Sequence, residues 1–126
     1  MVGETEQSLQ QKGVPYVVGR CSYDASARGR IVGDSNGFLK FLFRRGHMRL
    51  LGVHALGEQA TELVHIGLVA MLRSSTSEIF AEACFNTPTF GELYKLAAID
   101  AERAATEDNL AGASTGDACQ HAARLT

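Results

Sequence analysis

Histidine and cysteine are the residue types that most readily bind metals or act in catalysis, and this chain has four histidines and three cysteines. The histidines are His47, His54, His65 and His121. None of them has a second histidine four residues away, the spacing that places two metal ligands on one face of a helix. His65 has apolar neighbours on both sides, which is typical of a hydrogen-bonded histidine in a core or an interface. We therefore predict no metal site from these residues.

The cysteines, Cys21, Cys84 and Cys119, are odd in number, widely spaced and without a CxxC pair. Such a pattern indicates neither a disulphide framework nor a zinc site. We expect Cys21 and Cys84 to be small buried hydrophobic residues. The sequence also lacks a GxGxxG loop after a strand, which a dinucleotide-binding fold would require. The chain by itself is therefore expected to bind no cofactor and to carry no catalytic residue.

Length and charge narrow the classes of partner. A chain of 126 residues suffices for one domain with a core. Its formal net charge of −2 gives no reason to expect nucleic acid as a partner. The polar stretch Met1–Lys12 does not resemble a signal peptide, so we expect a cytoplasmic protein. The most apolar predicted helix is about 15 residues long, too short to span a membrane, and Glu58 and Glu62 also argue against a span.

Residues Arg49–Leu72 organise the elements that must position any site. Leu50–Leu56 has the composition of a strand, and Gly57 supplies a turn. Acidic residues in the first turns that follow suit the positive end of a helix dipole. From Leu63 to Leu72 almost every residue is apolar, and a helix that is hydrophobic all round is buried. This helix is expected to form the core of the domain or to be shared with a second subunit.

Short strands are predicted at Tyr16–Tyr23, Gly29–Val32 and Phe38–Arg44, before the strand that ends at Leu56. Short strands in succession predict an antiparallel meander. The fold class is therefore α+β, with an antiparallel sheet of four or five strands and helices packed on it. The central helix is predicted at Glu58–Arg73.

Three shorter signals place the remaining helices. Thr5 is predicted to cap a helix that ends at Gln11. Either Ser75 or Ser77 can cap a short helix. Thr89 and Glu92 have the spacing of a capping box for the last helix.

The composition changes after Ala105. The remaining residues are small and polar, and they cannot bury enough apolar surface to offset their ordering entropy. We therefore expect a domain over residues 1–105 and a disordered or loosely packed tail over 106–126.

Four segments carry a family resemblance, and in order they cover most of the chain. They are VGETEQSLQQKGVPYVVGR, ARGRIVGDSNGFLKFLFRR, GVHALGEQATELVHIG and FNTPTFGELYKLAAID. Together they resemble the C-terminal dimerisation, or interface, domain of flavin-dependent pyridine nucleotide-disulphide oxidoreductases. Within that family the likeness is to the soluble pyridine nucleotide transhydrogenases. The resemblance implies the dimerisation-domain fold, and it implies FAD and NAD(P) as cofactors of the wider family.

The resemblance also implies a catalytic position. Most disulphide reductases of the family have a His-Pro pair there, followed by a glutamate four residues after the proline. The histidine is an acid/base that serves the partner's flavin, and the glutamate orients it; soluble transhydrogenases have a tyrosine in place of the histidine. Here the positions are Thr87, Pro88 and Glu92. Threonine has no titratable group near neutral pH, so the motif is expected to be inactive. A capping role for Glu92 explains that residue without catalysis.

Three functions follow as hypotheses. The first is a dimerisation or interaction domain that forms a homodimer without catalysis of its own. The second is a subunit that completes an FAD-dependent oxidoreductase whose cofactor lobes are on another chain. The third is a small ligand-binding α+β domain with an apolar pocket. The first is favoured, and its predicted interface residues are Leu63, Ile66, Phe85, Pro88 and Phe90.

Overall fold

A computed structural model describes the backbone of residues 1–122 and the side chains of residues 1–111. Strands alternate with short helices in the first half, and three helices complete the described residues. In chain order the elements are β1 (Val2–Gly3), α1 (Glu6–Gln11), β2 (Tyr16–Ser22), α2 (Ala27–Val32), β3 (Phe38–Arg44), β4 (Leu50–Leu56), α3 (Ala60–Leu72), α4 (Glu78–Glu82) and α5 (Glu92–Ala122).

The strands form one four-stranded antiparallel sheet in the order β1-β4-β3-β2. Strands β2, β3 and β4 form the predicted meander, and β1 adds to the free edge of β4. The pairing of β3 with β4 shifts register between Leu42 and Phe43. The predicted α+β class and the antiparallel sheet are therefore confirmed.

One predicted strand is wrong. Residues 29–32 lie in helix α2, which begins after Ser26 and ends before Gly33. The Ser26 hydroxyl oxygen accepts a hydrogen bond from the Gly29 amide, the usual interaction of an N-cap residue. Gly33 then adopts the left-handed conformation that ends many helices. These two caps select a helix where a short apolar run had suggested a strand.

Helix α5 covers the sheet over β2 and β3. Contact is close because the facing residues are small. A Cβ atom at Gly19 would lie 2.2 Å from the Ala97 carbonyl oxygen and 2.6 Å from the Ala101 Cβ. Phe41 lies at the centre of the core, with ring centroids 4.8 Å from Phe80 and 5.3 Å from Tyr94.

Helix α5 continues beyond the point where we expected regular structure to end. Its backbone is helical from Thr106 to Ala122, and residues 123–126 lie outside the described part of the chain. An ion pair of 2.8 Å joins Asp108 of this segment to Arg45. The prediction that the segment packs loosely stays a prediction. Among the described residues, no helix is long and apolar enough to cross a lipid bilayer.

Candidate functional site

Helix α3 is apolar all round, but it is buried on one face only. Leu63, Gly67 and Ala70 recur at helical spacing and face the sheet. By contrast, Val69 is 63% exposed and Leu72 is 76% exposed. The expectation that this helix fills the core of a single chain is therefore wrong for most of its circumference. The alternative, that it is shared with a second subunit, explains why its outer faces are apolar.

A groove of about 680 Å³ runs along this exposed side of α3, between α3, α4 and the segment that follows α4. Its lining is almost entirely apolar, and it contains no Asp or Glu. The lining residues are His65, Ile66, Val69, Ala70, Arg73, Ser75, Ile79, Phe80, Ala83 and Phe85. Soluble monomers rarely leave a large continuous apolar surface uncovered. The groove is therefore the strongest candidate for an interaction site.

Two nitrogen-bearing side chains line the groove, and both are exposed. His65 lies on α3, and Arg73 is the residue that follows its last turn. We expected His65 to be a satisfied histidine of a core or an interface, and its exposure excludes the core. A partner that covers the groove would meet apolar side chains flanked by hydrogen-bond donors.

The predicted interface residues divide by burial. Ile66, Phe85 and Pro88 have side chains that reach the surface, and the first two line the groove. Leu63 and Phe90 are only 6% and 5% exposed, within the core of this chain. The ring of Phe90 lies 4.6 Å from that of Tyr23 between centroids, so its packing is internal.

The positions of the family's acid/base motif lie beside the groove. The Thr87 hydroxyl donates a hydrogen bond of 2.7 Å to Oε1 of Glu92, and the Thr87–Pro88 peptide bond is cis. The other carboxylate oxygen, Oε2, is buried and has no partner in the described part of the chain. A small cavity of about 230 Å³ contains both residues, together with Cys84 and Lys95. Phe85 lines this cavity as well as the groove.

The predicted capping box at the start of α5 does not form. The Thr89 hydroxyl donates to the carbonyl of Asn86, 2.6 Å away, and Glu92 accepts from Thr87. Glu92 is the first residue of the helix, whereas a capping box places its glutamate at the third. The spacing of Thr89 and Glu92 was therefore a coincidence of sequence, and Glu92 pairs with the motif position.

Tyr94 contributes a hydroxyl that the sequence gave no reason to single out. The hydroxyl accepts a hydrogen bond from the Gly67 amide at 3.0 Å and donates one to the Leu63 carbonyl at 2.8 Å. Burial raises the pKa of Tyr94 to about 12, although the hydrogen bond from Gly67 acts in the opposite direction. The hydroxyl therefore stays protonated at all ordinary pH values. In the sequence Tyr94 belongs only to an apolar stripe, so its tertiary partners gave no local signal.

The remaining titratable side chains within residues 1–111 do not assemble a metal-binding cluster. The Nε2 atom of His54 lies 2.9 Å from the Glu4 carbonyl oxygen, so this side chain links β4 to the segment that follows β1. Within residues 1–111, no three His, Cys, Asp or Glu side chains are close enough to hold a metal ion. Cys21 is buried, as predicted, but Cys84 is exposed. The candidate functional sites are therefore the groove and the adjoining Thr87–Glu92 pair.

The sequence that forms this fold matches a known class of domain. The family model described as "Pyridine nucleotide-disulphide oxidoreductase, dimerisation domain" matches residues 1–98. The chain therefore belongs to this family, and it comprises the dimerisation domain.

The relatives extend the assignment to a branch of the family. The soluble pyridine nucleotide transhydrogenase of Mycobacterium bovis is 48% identical over 99 residues, which cover 79% of this chain and 21% of the relative. That of Hahella chejuensis is 45% identical over 102 residues, covering 79% and 22%. The chain thus resembles the dimerisation domain of soluble transhydrogenases, and it spans about a fifth of the length of these relatives.

Solved structures agree on the fold. The HOCl-induced flavoprotein disulfide reductase RclA from Escherichia coli matches with a TM-score of 0.73 at 24% identity, over 78% of this chain and 22% of that protein. LpdA from Mycobacterium tuberculosis has the same TM-score at 21% identity, with coverage of 78% and 21%.

Proposed function

We propose that this domain forms a homodimer through the groove face of α3 and α4. The observation that carries the proposal is that two apolar side chains of the groove, Val69 and Ile79, are more than half exposed. Leu72, at the end of α3, is an exposed apolar residue as well. An exposed apolar surface of this kind marks an interaction site in a soluble protein. A second copy is the occupant we favour, because the family is one of dimerisation domains.

A two-fold partner suits the chemistry of the face. In an isologous dimer each copy presents the same patch, and closed dimers of this type are the commonest oligomers. Apolar walls can cover one another in such an arrangement, while His65 and Arg73 reach the rim. The apolar centre and the polar rim match the general anatomy of protein interfaces.

The mass of the purified chain in dilute solution tests the proposal. The wild type should sediment as a dimer, and Val69→Asp should shift it toward monomer by placing a charge in the apolar groove. Truncating or charging a central interface residue typically costs 2 kcal/mol or more of binding, roughly a thirtyfold rise in Kd. Ile31→Asp is the matched control, since Ile31 is 65% exposed and lies on α2, outside the groove.

Two results would contradict this proposal. A wild-type protein that stays monomeric at all concentrations contradicts the homodimer. If Val69→Asp and Ile31→Asp weakened dimerisation equally, the protein would still be a dimer, but the groove would not be its interface. Circular dichroism of each variant verifies that the fold is retained.

We propose further that these residues hold neither FAD nor NAD(P) by themselves. The sheet is wholly antiparallel, whereas a dinucleotide fold uses a parallel strand and a glycine-rich loop before a helix. The part of the chain that the structure describes has no such loop. Thr87 also lacks a group that could exchange protons near neutral pH. The purified chain should be colourless, and bound flavin in its visible absorbance spectrum would refute the proposal.

A second candidate function rests on the Thr87–Glu92 pair. Oε2 of Glu92 is a buried acceptor without a partner, and such groups are usually satisfied by some donor. A flavoenzyme chain that docks on this side could supply that donor, so that the domain completes an oxidoreductase. Mixing the chain with the cofactor-binding part of a relative and measuring activity and co-sedimentation tests this candidate. A lack of both contradicts it.

We place the protein in a reducing compartment, the cytoplasm. Cys21 and Cys84 are free thiols, and Cys84 is exposed. Exposed free cysteines are prone to oxidation outside reducing compartments. Fractionation of cells that express the protein, with a thiol-labelling assay on Cys84, tests the placement.

A further inference from the structure

The Tyr94 hydroxyl hydrogen-bonds to one amide and one carbonyl of helix α3 that a regular helix pairs with each other. In a regular α-helix the amide of each residue bonds to the carbonyl four residues earlier. Gly67 and Leu63 are such a pair in α3, and the Tyr94 hydroxyl contacts the amide of one and the carbonyl of the other. Side chains that enter this ladder are a recognised cause of helix bending and displacement. The position of α3 therefore depends on a residue of α5.

The glycine of that pair lets α3 approach its neighbours. A Cβ atom at Gly67 would lie 2.6 Å from Cγ2 of Val53 in β4 and 3.1 Å from the Tyr94 hydroxyl. Both separations are shorter than side-chain carbon atoms tolerate without movement. Helix α3 thus contacts both the sheet and the tyrosine on its one buried face, at Gly67.

The same tyrosine packs against two other parts of the groove. Its ring centroid lies 5.4 Å from that of Phe80 and 6.4 Å from that of Phe85. Both phenylalanines line the groove, and so does Ile66, which directly precedes Gly67. Tyr94 itself is fully buried. It therefore lies behind the groove, where it contacts two of the lining residues, Phe80 and Phe85, and the backbone of α3, without lining the groove itself.

We infer that Tyr94 is a positioning residue for the groove. Its hydroxyl fixes α3, and its ring fixes Phe80 and Phe85, so one side chain sets the separation between the two walls. The inference rests on the proposed function, since the groove shape matters for binding a second copy. It adds a prediction that the groove proposal lacks: removing one oxygen atom that never touches the partner weakens the dimer.

The substitution Tyr94→Phe tests the inference, with Tyr23→Phe as its matched control. Tyr23 is also fully buried, and its hydroxyl donates one hydrogen bond of 3.0 Å to the Glu58 carbonyl. It does not line the groove. Both variants lose a buried tyrosine hydroxyl and keep the ring, so a general loss of stability affects both.

Two measurements separate the variants. Backbone amide chemical shifts report the groove directly, and Tyr94→Phe should move those of Ile66, Val69 and Phe85 while Tyr23→Phe leaves them in place. The dimer Kd should rise roughly tenfold for Tyr94→Phe, because a displaced α3 fits the second copy less well, and stay unchanged for Tyr23→Phe.

The outcomes keep this inference apart from the dimer proposal. A monomeric wild type defeats the dimer, but the amide shifts still decide whether Tyr94 shapes the groove. Unmoved groove resonances in Tyr94→Phe overturn the inference. Equal effects of the two variants on the shifts or on Kd overturn it as well.

Discussion

Thr87 has no group that titrates near neutral pH, yet its side chain contacts a carboxylate. The family resemblance implies a histidine oriented by a glutamate at this position in most disulphide reductases, and a tyrosine in the soluble transhydrogenases. In this chain the Thr87 hydroxyl donates to the matching glutamate, Glu92, over 2.7 Å. A hydroxyl can hold the carboxylate in place, but it cannot exchange a proton near neutral pH. The pair thus retains a structural contact at a position where the resemblance implies acid/base chemistry.

Cys21 should make stability depend on alkaline pH. Burial raises the pKa of its thiol from an ordinary value of 9.0 to about 11, with the Asp100 and Asp24 carboxylates adding to the effect. The folded state therefore favours the neutral thiol. Its contribution to stability is complete below pH 9.0 and disappears as the pH rises through about 11.

Urea unfolding near pH 8 and near pH 10 measures the effect of Cys21. Between these values the wild type should lose about 1 kcal/mol more than Cys21→Val, which has no group to titrate. Both proteins share every other titratable group, including Tyr94. The difference between their pH dependences of unfolding free energy therefore isolates the contribution of Cys21. An identical pH dependence in the two proteins would show that Cys21 does not favour its neutral form in the folded state.

At the scale of elements, the predictable parts were those with local signals. The strand predicted at Phe38–Arg44 is β3, and the Asp34 carboxylate fixes the turn before it by accepting hydrogen bonds from the Asn36 and Gly37 amides. Helix α2 was missed because a serine cap outweighed its short apolar run. The exposure of α3 could not be predicted, since a helix with no polar face gives no sign of which face a sheet will cover.

The contact between β2 and α5 should tolerate no added atom. A Cβ atom at Gly19 meets the Ala97 carbonyl at 2.2 Å, so Gly19→Ala must push α5 away from the sheet. Overpacking of this kind typically destabilises by about 1–3 kcal/mol. Gly91→Ala is the control, because its nearest contact is 3.3 Å from the Phe85 ring. Urea midpoints of both variants give the comparison, and equal midpoints would refute the tight packing.

The end of α5 should add little to stability. The ion pair between Arg45 and Asp108 has both side chains 48% exposed, and such surface pairs contribute at most about 1 kcal/mol. Leu110 is also exposed. Deleting residues 106–126 should therefore change the melting temperature little. A loss of more than about 2 kcal/mol would mean that this segment docks on the domain.

At the scale of the whole molecule, the apolar residues that the structure describes belong either to a core or to an open face. The sheet, α5 and the inner side of α3 enclose the aromatic cluster around Phe41. The outer side of α3 and the exposed side of α4 form the open face, which contains the groove. The sequence predicted the amount of apolar surface and, through the family resemblance, its use in dimerisation. It did not predict how Leu63 and Phe90 would divide from Ile66 and Phe85, because that depends on which side each element packs.

If the groove joins two copies, thermal stability must depend on protein concentration. A dimer dissociates on unfolding, so mass action raises its Tm as the concentration rises. A hundredfold increase should raise the Tm of the wild type by roughly 5 °C for a domain of this size. Val69→Asp should lose this dependence, whereas Ile31→Asp should keep it, since Ile31 lies on α2 away from the groove. Calorimetry at several concentrations makes the measurement, and a wild-type Tm that does not move would mean that the folded unit is a monomer.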